Sequence, residues 1–185
     1  KAAGKGVAVA VDIHTRLDVP SAIRVVEDLA PYHLLWIEEP VPPENIDAMR
    51  EVKRCTTTPI CAGENLYMRW GFKDLLEKQA VDIIMPDLAR TGGVLELKRI
   101  AAAAETYRGP IAPHNMVGPV CTLASAQVCA ATANFMILEY QLGDVPWIDD
   151  LLDEPIRLEA GHILLSDRPG LGARLNHAAV QKYLA

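Results

Sequence analysis

The stretch LLWIEEPVPP (residues 34–43) joins an apolar run to two adjacent carboxylates and then to prolines. Apolar runs of this length read as buried strands. Ending one on Glu38 and Glu39 is costly, because desolvating a single unpaired carboxylate costs several kcal/mol or more. The answer lies in how often the pattern returns. VAVAVDIH (7–14), LLWIEEP (34–40), PICAGEN (59–65), VDIIMPD (81–87), GPIAPHN (109–115) and FMILEY (135–140) are all short apolar runs bounded by turn residues.

Segments with helical periodicity fill the gaps. SAIRVVEDLAPY, with Ser21 as a candidate N-cap, is followed by NIDAMREVKRC, WGFKDLLEKQA, VLELKRIAAAAETY and TLASAQVCAATAN. Six strands alternating with five helices predict parallel βα units, and near-continuous apolar strands predict a sheet covered on both faces. A doubly wound open sheet and a (β/α)8 barrel both meet that description. No GxGxxG follows any strand, so a dinucleotide-binding sheet has no support.

Polar residues at the strand ends favour the barrel. Asp12 (with His14), Glu38, Glu64, Asp87, His114 and Glu139 succeed one another at intervals of 26, 26, 23, 27 and 25 residues, about one βα unit each. In a barrel such ends converge on the face that carries catalysis, whereas an open sheet spreads them along a line. Asp12, Glu38 and Glu64, on three successive strands, offer hard oxygens with no thiolate or imidazole among them, a set that suits Mg2+. Strand alternation puts Leu34, Trp36 and Glu38 on one face and Ile37 and Glu39 on the other, so one glutamate alone points inward. Spacing does not say which.

In this order VDIH, WIEEP, AGEN, PDLARTGG, APHN and ILEY resemble the barrel domain of the enolase superfamily, from about residue 7 onwards. The mandelate racemase subgroup is the nearest part of it, and within that the acid-sugar dehydratases of the galactonate type. The resemblance implies Mg2+ on Asp12, Glu38 and Glu64, with Glu39 an outer neighbour that supports Glu38 or forms a salt bridge. It implies a dyad in which His114 is the base and Asp87 holds its imidazole. Glu139 would hydrogen-bond the substrate carboxylate, and His14, two residues after Asp12 and so on the same strand face, fits a DxH pattern in which it would protonate the leaving hydroxyl. The lysine that lactonizing relatives carry at the tip of the MPDLARTGG strand is missing, which separates this chain from them.

The implied activity is dehydration of an aldonate or aldarate to a 2-keto-3-deoxy acid by a lyase. A racemase or epimerase on the same site, or a non-catalytic remnant, stands as the alternative. Residues 1–142 are expected to form the barrel units, about six of eight, and residues 143–185 a tail with a hairpin near Glu159-Ala160-Gly161 and a short terminal helix. An N-terminal capping domain, against which the tail would pack, and the first two strands are expected upstream of the abrupt KAAGKG opening. Many relatives carry a second base, a lysine, on the second of those strands.

Each residue has a plainer reading. A lone strand-end Asp commonly caps a helix, His114 could cap the helix after it, and His14 could simply pack. Asn65 and Asn115 are turn formers first; Arg90 could reach substrate or pair with Asp87. His33, His162 and His177 lie away from strand tips. The net charge of −6 and pI near 5.3, with no local Lys/Arg cluster, argue against nucleic acid. No apolar stretch approaches the ~20 residues of a membrane helix. Four cysteines without a CxxC pair read as buried free thiols in a reducing compartment. A cytoplasmic homo-oligomer acting on a small sugar acid is the expectation.

Overall fold

The computed structural model describes Gly4, residues 6–143 and residues 145–184; most of the KAAGKG opening lies outside them. Four short parallel strands, β1 (Val11–Asp12), β2 (Ile37–Glu38), β3 (Ile60–Ala62) and β4 (Ile83–Ile84), pair in chain order. Two parallel bridges, Ile84 with Ile111 and Ile111 with Phe135, continue the same arc. All six expected strand positions are therefore present in order, the last two as single bridging residues. The exclusively parallel, sequential pairing is that of a βα barrel segment.

Helices α1 (Val19–Leu29), α2 (Ile46–Arg54), α3 (Met68–Glu77), a four-residue α4 (Leu88–Thr91), α5 (Val94–Thr106) and α6 (Pro119–Ala130) return the chain to the next strand. The cap of α1 is not Ser21 but Asp18, whose carboxylate accepts from the Ser21 amide, with Pro20 in the first turn. An acceptor three residues ahead of a free N–H satisfies it, and Pro lacks the donor that position would waste. Asn45 caps α2 in the same way.

Alternation along the strands sorts the core into two layers. Ile37, Ile60, Ala62, Ile84 and Ile111 face the helices and pack with Val26, Met49, Phe72, Leu75 and Ile100. Trp36, Cys61, Ile83, Met85 and Ala112 face the other way, into the barrel interior. Each Val, Leu, Ile, Met or Phe side chain among them stabilises the fold by about 1.5–3 kcal/mol when fully buried. The arc is open: among the described residues no hydrogen bond joins its two ends. Val7 and Val9 are exposed at one end, and Phe135, Met136 and Ile137 at the other.

The tail holds the expected hairpin, β5 (Leu158–Glu159) with β6 (His162–Ile163), and a last helix α7 (His177–Tyr183). Trp147 stacks on Tyr183 at 4.6 Å between ring centroids, and Arg168 pairs with Asp153 at 2.6 Å. All four cysteines are free, but only Cys61 and Cys129 are buried; Cys121 is half-buried and Cys55 exposed. No helix among the described residues is long and apolar enough to cross a membrane.

Candidate active site

The strand ends do gather the expected residues. Asp12 and Glu38 are direct partners in the β1–β2 register. Glu38 next pairs with Cys61, so Glu64 lies three residues beyond the register level, on the loop after β3. Glu38 shares its face with Trp36, which donates from Nε1 to Glu38 Oε2 at 3.0 Å. Burial pushes the Glu38 carboxyl up to about 7; the Trp36 bond opposes this, while the charges of Asp12, Glu139 and Glu64 add to it. Three further carboxylates thus crowd Glu38.

Glu64 is almost fully buried. Its Oε1 accepts from Arg90 Nη1 and from Asn65 Nδ2, both at 3.2 Å, and its Oε2 stands 3.4 Å from His114 Nε2. The loop can reach there because Gly63 adopts φ +134; a Cβ on it would lie 2.9 Å from Phe72 Cε1. Gly63→Ala is accordingly expected to destabilise by about 1–3 kcal/mol through overpacking alone, with the backbone strain adding to that. Urea unfolding would measure it, and an unchanged midpoint would contradict the close approach.

Asp87 does two jobs. It caps α4, its Oδ1 accepting from the Arg90 amide at 2.9 Å, and its Oδ2 lies 2.6 Å from His114 Nδ1. Asp87 therefore caps a helix and contacts His114 at once, two arrangements weighed as alternatives from sequence. Desolvation alone would raise Asp87, yet the hydrogen bonds from His114 and Arg90 hold it below the usual carboxylate range. Desolvation alone would lower His114; the Asp87 bond and the charges of Glu64, Glu139 and Asp87 outweigh it and raise the imidazole above 6.5. With Nδ1–H committed to Asp87, Nε2 is the nitrogen left facing the site. Asp87→Asn removes the main opposition to desolvation, so His114 in Mg2+-free protein should titrate lower. Imidazole NMR shifts against pH would show this, and a pKa that stays raised would locate the cause elsewhere.

Glu139 Oε2 accepts from the Asn115 amide at 2.8 Å and stands 3.9 Å from His114 Nε2. Asn115 is buried and also bonds Thr122 and the Glu139 carbonyl, so it clamps the end of the FMILEY segment. His114 caps no helix; Gly118 occupies that place before α6.

His14 differs from expectation. The strand ends at Asp12, and His14 sits in a turn at φ +55, so two-residue alternation does not place it. Its amide bonds Asp12 Oδ1 at 2.7 Å, a local turn that short Asp side chains favour. The ring nonetheless comes back to 3.3 Å from Asp12 Oδ2 and 3.8 Å from Glu64 Oε1, and remains exposed.

Glu39 makes no salt bridge among the described residues. It is fully buried, pushed up to about 7 by burial, and its Oε1 accepts from the Gly63 amide at 2.7 Å. Two residues escaped the sequence reading, Trp36 as a donor to Glu38 and Arg90 as a partner of Glu64 and Asn65. Nothing local marks either; the i, i+2 spacing of Trp36 and Glu38 was the one available hint. His33, His162 and His177 lie in a helix cap, the hairpin and the start of α7, away from this cluster.

Taken by donor chemistry, Asp12, Glu38 and Glu64 suit a hard divalent cation. As they stand, though, no three His, Cys, Asp or Glu side chains among the described residues enclose a point that could hold one. Each carboxylate is turned to another donor: Asp12 to the His14 amide, Glu38 to Trp36, and Glu64 to Arg90 and Asn65.

The enolase C-terminal domain-like family matches residues 1–179. The chain belongs to that family. Over its whole length it is 44% identical to a D-xylonate dehydratase of Haloferax volcanii, spanning 45% of that relative. A mandelate racemase/muconate lactonizing enzyme-like protein from Rubrobacter xylanophilus superposes at TM-score 0.94 with 49% identity, over 98% of this chain and 47% of that one. An enolase from Bradyrhizobium, solved with magnesium and mandelic acid, superposes at TM-score 0.86 with 35% identity, over 97% of this chain and 47% of that one. The chain thus spans about half the length of the proteins it matches, and the open arc is the part of an enolase-family barrel that it contributes.

Proposed function

We propose that the protein containing this chain is a Mg2+-dependent hydro-lyase that dehydrates a sugar acid to a 2-keto-3-deoxy acid. The observation that carries the reading is the His114–Asp87 pair, with Nε2 aimed at the face where Glu64 and Glu139 converge. The dehydratase relative and the magnesium-bound neighbour support it from outside the chain.

Asp12, Glu38 and Glu64 would hold Mg2+, their side chains turning from their present partners. When bound, the ion would supply positive charge for a substrate carboxylate whose own charge grows as the α-proton leaves. Enolase-superfamily sites commonly use a Lys or His base in this setting. His114 takes the α-proton at Nε2, the imidazolium being stabilised through Nδ1 by Asp87. Glu139, held by Asn115, orients the carboxylate end of the substrate. His14, the most exposed member, gives a proton to the β-hydroxyl as it departs as water, and the resulting enol becomes the 2-keto acid. We also propose that residues 143–185 pack towards a capping domain, and that the protein is a cytoplasmic homo-oligomer.

The test is proton NMR of the intact protein with Mg2+ and a panel of C5 and C6 sugar acids in D2O. A 3-deoxy-2-keto product supports the reading and names the substrate. Exchange of the α-proton without loss of water moves the assignment to a racemase or epimerase. A protein that takes up no Mg2+ in titration is a non-catalytic remnant.

A further inference from the structure

From Trp36 onwards the ladder on either side of β2 follows a rule that breaks at Glu39. Even-numbered carbonyls serve β1: Trp36 O accepts from the Val11 amide and Glu38 O from the Ile13 amide, at 3.2 and 3.0 Å. Odd-numbered amides serve β3: Ile37 N–H donates to Pro59 O and Glu39 N–H to Cys61 O, at 2.9 and 3.0 Å. In a parallel ladder the Glu39 carbonyl should next accept from Gly63. It does not. Glu39 lies at φ +40, its carbonyl is swung across to the β1 side, and there it accepts from the Thr15 amide at 2.7 Å.

The vacated rung is filled by the Glu39 side chain, whose Oε1 accepts from the Gly63 amide at 2.7 Å. The Glu64 amide, one residue on, also draws the Glu39 carboxyl downwards against the effect of burial. Glu39 Oε2 is buried without a hydrogen-bond partner. His14 and Thr15 are likewise at positive φ, 55 and 61, opposite it. Backbone strain in non-glycine residues persists only where surrounding contacts over-determine it. Here it is concentrated where three strand ends meet.

We propose that Glu39 is a positioning residue that splints these ends, its carbonyl holding the His14-Thr15 turn and its carboxylate holding the Gly63-Glu64 loop, so that Asp12, Glu38 and Glu64 stay in reach of one cation. This rests on the metal reading above. The requirement is an acceptor at Oε1, not a charge. It also explains why burying an acid with one unpaired oxygen is tolerated: no apolar side chain can replace a missing backbone carbonyl.

The experiment compares Glu39→Gln, which keeps the acceptor, with Glu39→Met, which keeps the volume and removes it. Mg2+ affinity is measured by calorimetry on the intact protein, and Gly63 amide exchange is followed in Mg2+-free buffer. The expected result is wild-type affinity and a protected Gly63 amide for Glu39→Gln. Glu39→Met should lose about 10–100-fold in affinity, as removal of a partner outside the ligand set typically does, with faster Gly63 exchange. Wild-type affinity in Glu39→Met, or an equal loss in Glu39→Gln, overturns the splint. Should Glu39→Met not fold, Glu39→Gln decides alone: loss of either its affinity or its Gly63 protection overturns the proposal. A wild-type protein that takes up no Mg2+ sinks the metal reading instead, and Gly63 exchange in the two variants still decides whether Glu39 carries the rung.

Discussion

Replacing His114 by asparagine is expected to lower dehydration by about 10²–10⁴-fold, the usual contribution of a positioned general base, while leaving Mg2+ affinity unchanged. Asparagine is close to imidazole in reach and can donate to Asp87, but it takes no proton at neutral pH. The pair matters for stability too: Asp87 is 1% exposed, and a buried carboxylate that loses its donor costs about 1–3 kcal/mol or more. The asparagine amide keeps that donor, so thermal stability should change little. Because α-proton abstraction belongs to His114, solvent exchange of the substrate α-proton should fall together with product formation. Loss of Mg2+ binding in the same variant would mean that the ligands are misassigned and that His114, 3.4 Å from Glu64, is one of them.

His14→Asn should separate the two halves of the reaction. Dehydration is expected to fall by about 10²–10⁴-fold while exchange of the α-proton continues, since His14 is assigned to the leaving hydroxyl and not to abstraction. The substitution is well suited to the position. His14 lies at φ +55, a conformation that asparagine adopts more readily than most residues. Its side chain is 54% exposed, so stability should move by no more than about 0.5 kcal/mol. Parallel rate measurements in D2O, of product and of exchange, give the answer. If both rates fall together, His14 binds substrate and is not the acid; if neither falls, it has no part in the chemistry.

The alternation of strands and helices was legible because each unit carries its own signal. Apolar runs recur every 25 residues or so, separated by amphipathic segments, and run length with bounding turn residues distinguishes the strands from the helices. Identities at the strand ends were legible for the same reason, since a carboxylate or imidazole closing an apolar run is conspicuous. Finer placement was not. Asp18 and Ser21 are both good caps by type, and only the backbone of the entering chain chose Asp18. The second interval of 26 residues looked like register, yet Glu38 pairs with Cys61 and the loop carries Glu64 three residues further. Two-residue alternation placed Trp36, Ile37 and Glu38 correctly, because it holds as long as the strand is extended. It fails at Leu34, which packs with the Ile37 layer and not with Trp36; beyond the strands, at His14 and Glu39, φ turns positive and the period of two no longer applies.

By itself the sequence determined the parallel βα order, the family, and the set of acids and histidines brought to one end of the sheet. The order and the set of strand-end residues follow from local periodicity and residue type, and the family from the resemblance of six motifs in order; none of these needs knowledge of distant neighbours. Tertiary structure alone decided that Arg90 reaches Glu64, that Asp87 serves a helix and a histidine at once, and that a side chain at Glu39 stands in for a backbone carbonyl. Each of these is a hydrogen bond between groups 24 to 27 residues apart, or a competition between two bonds for one carboxylate. Such choices are made by the geometry of the closed contact and leave no trace in the spacing of the residues.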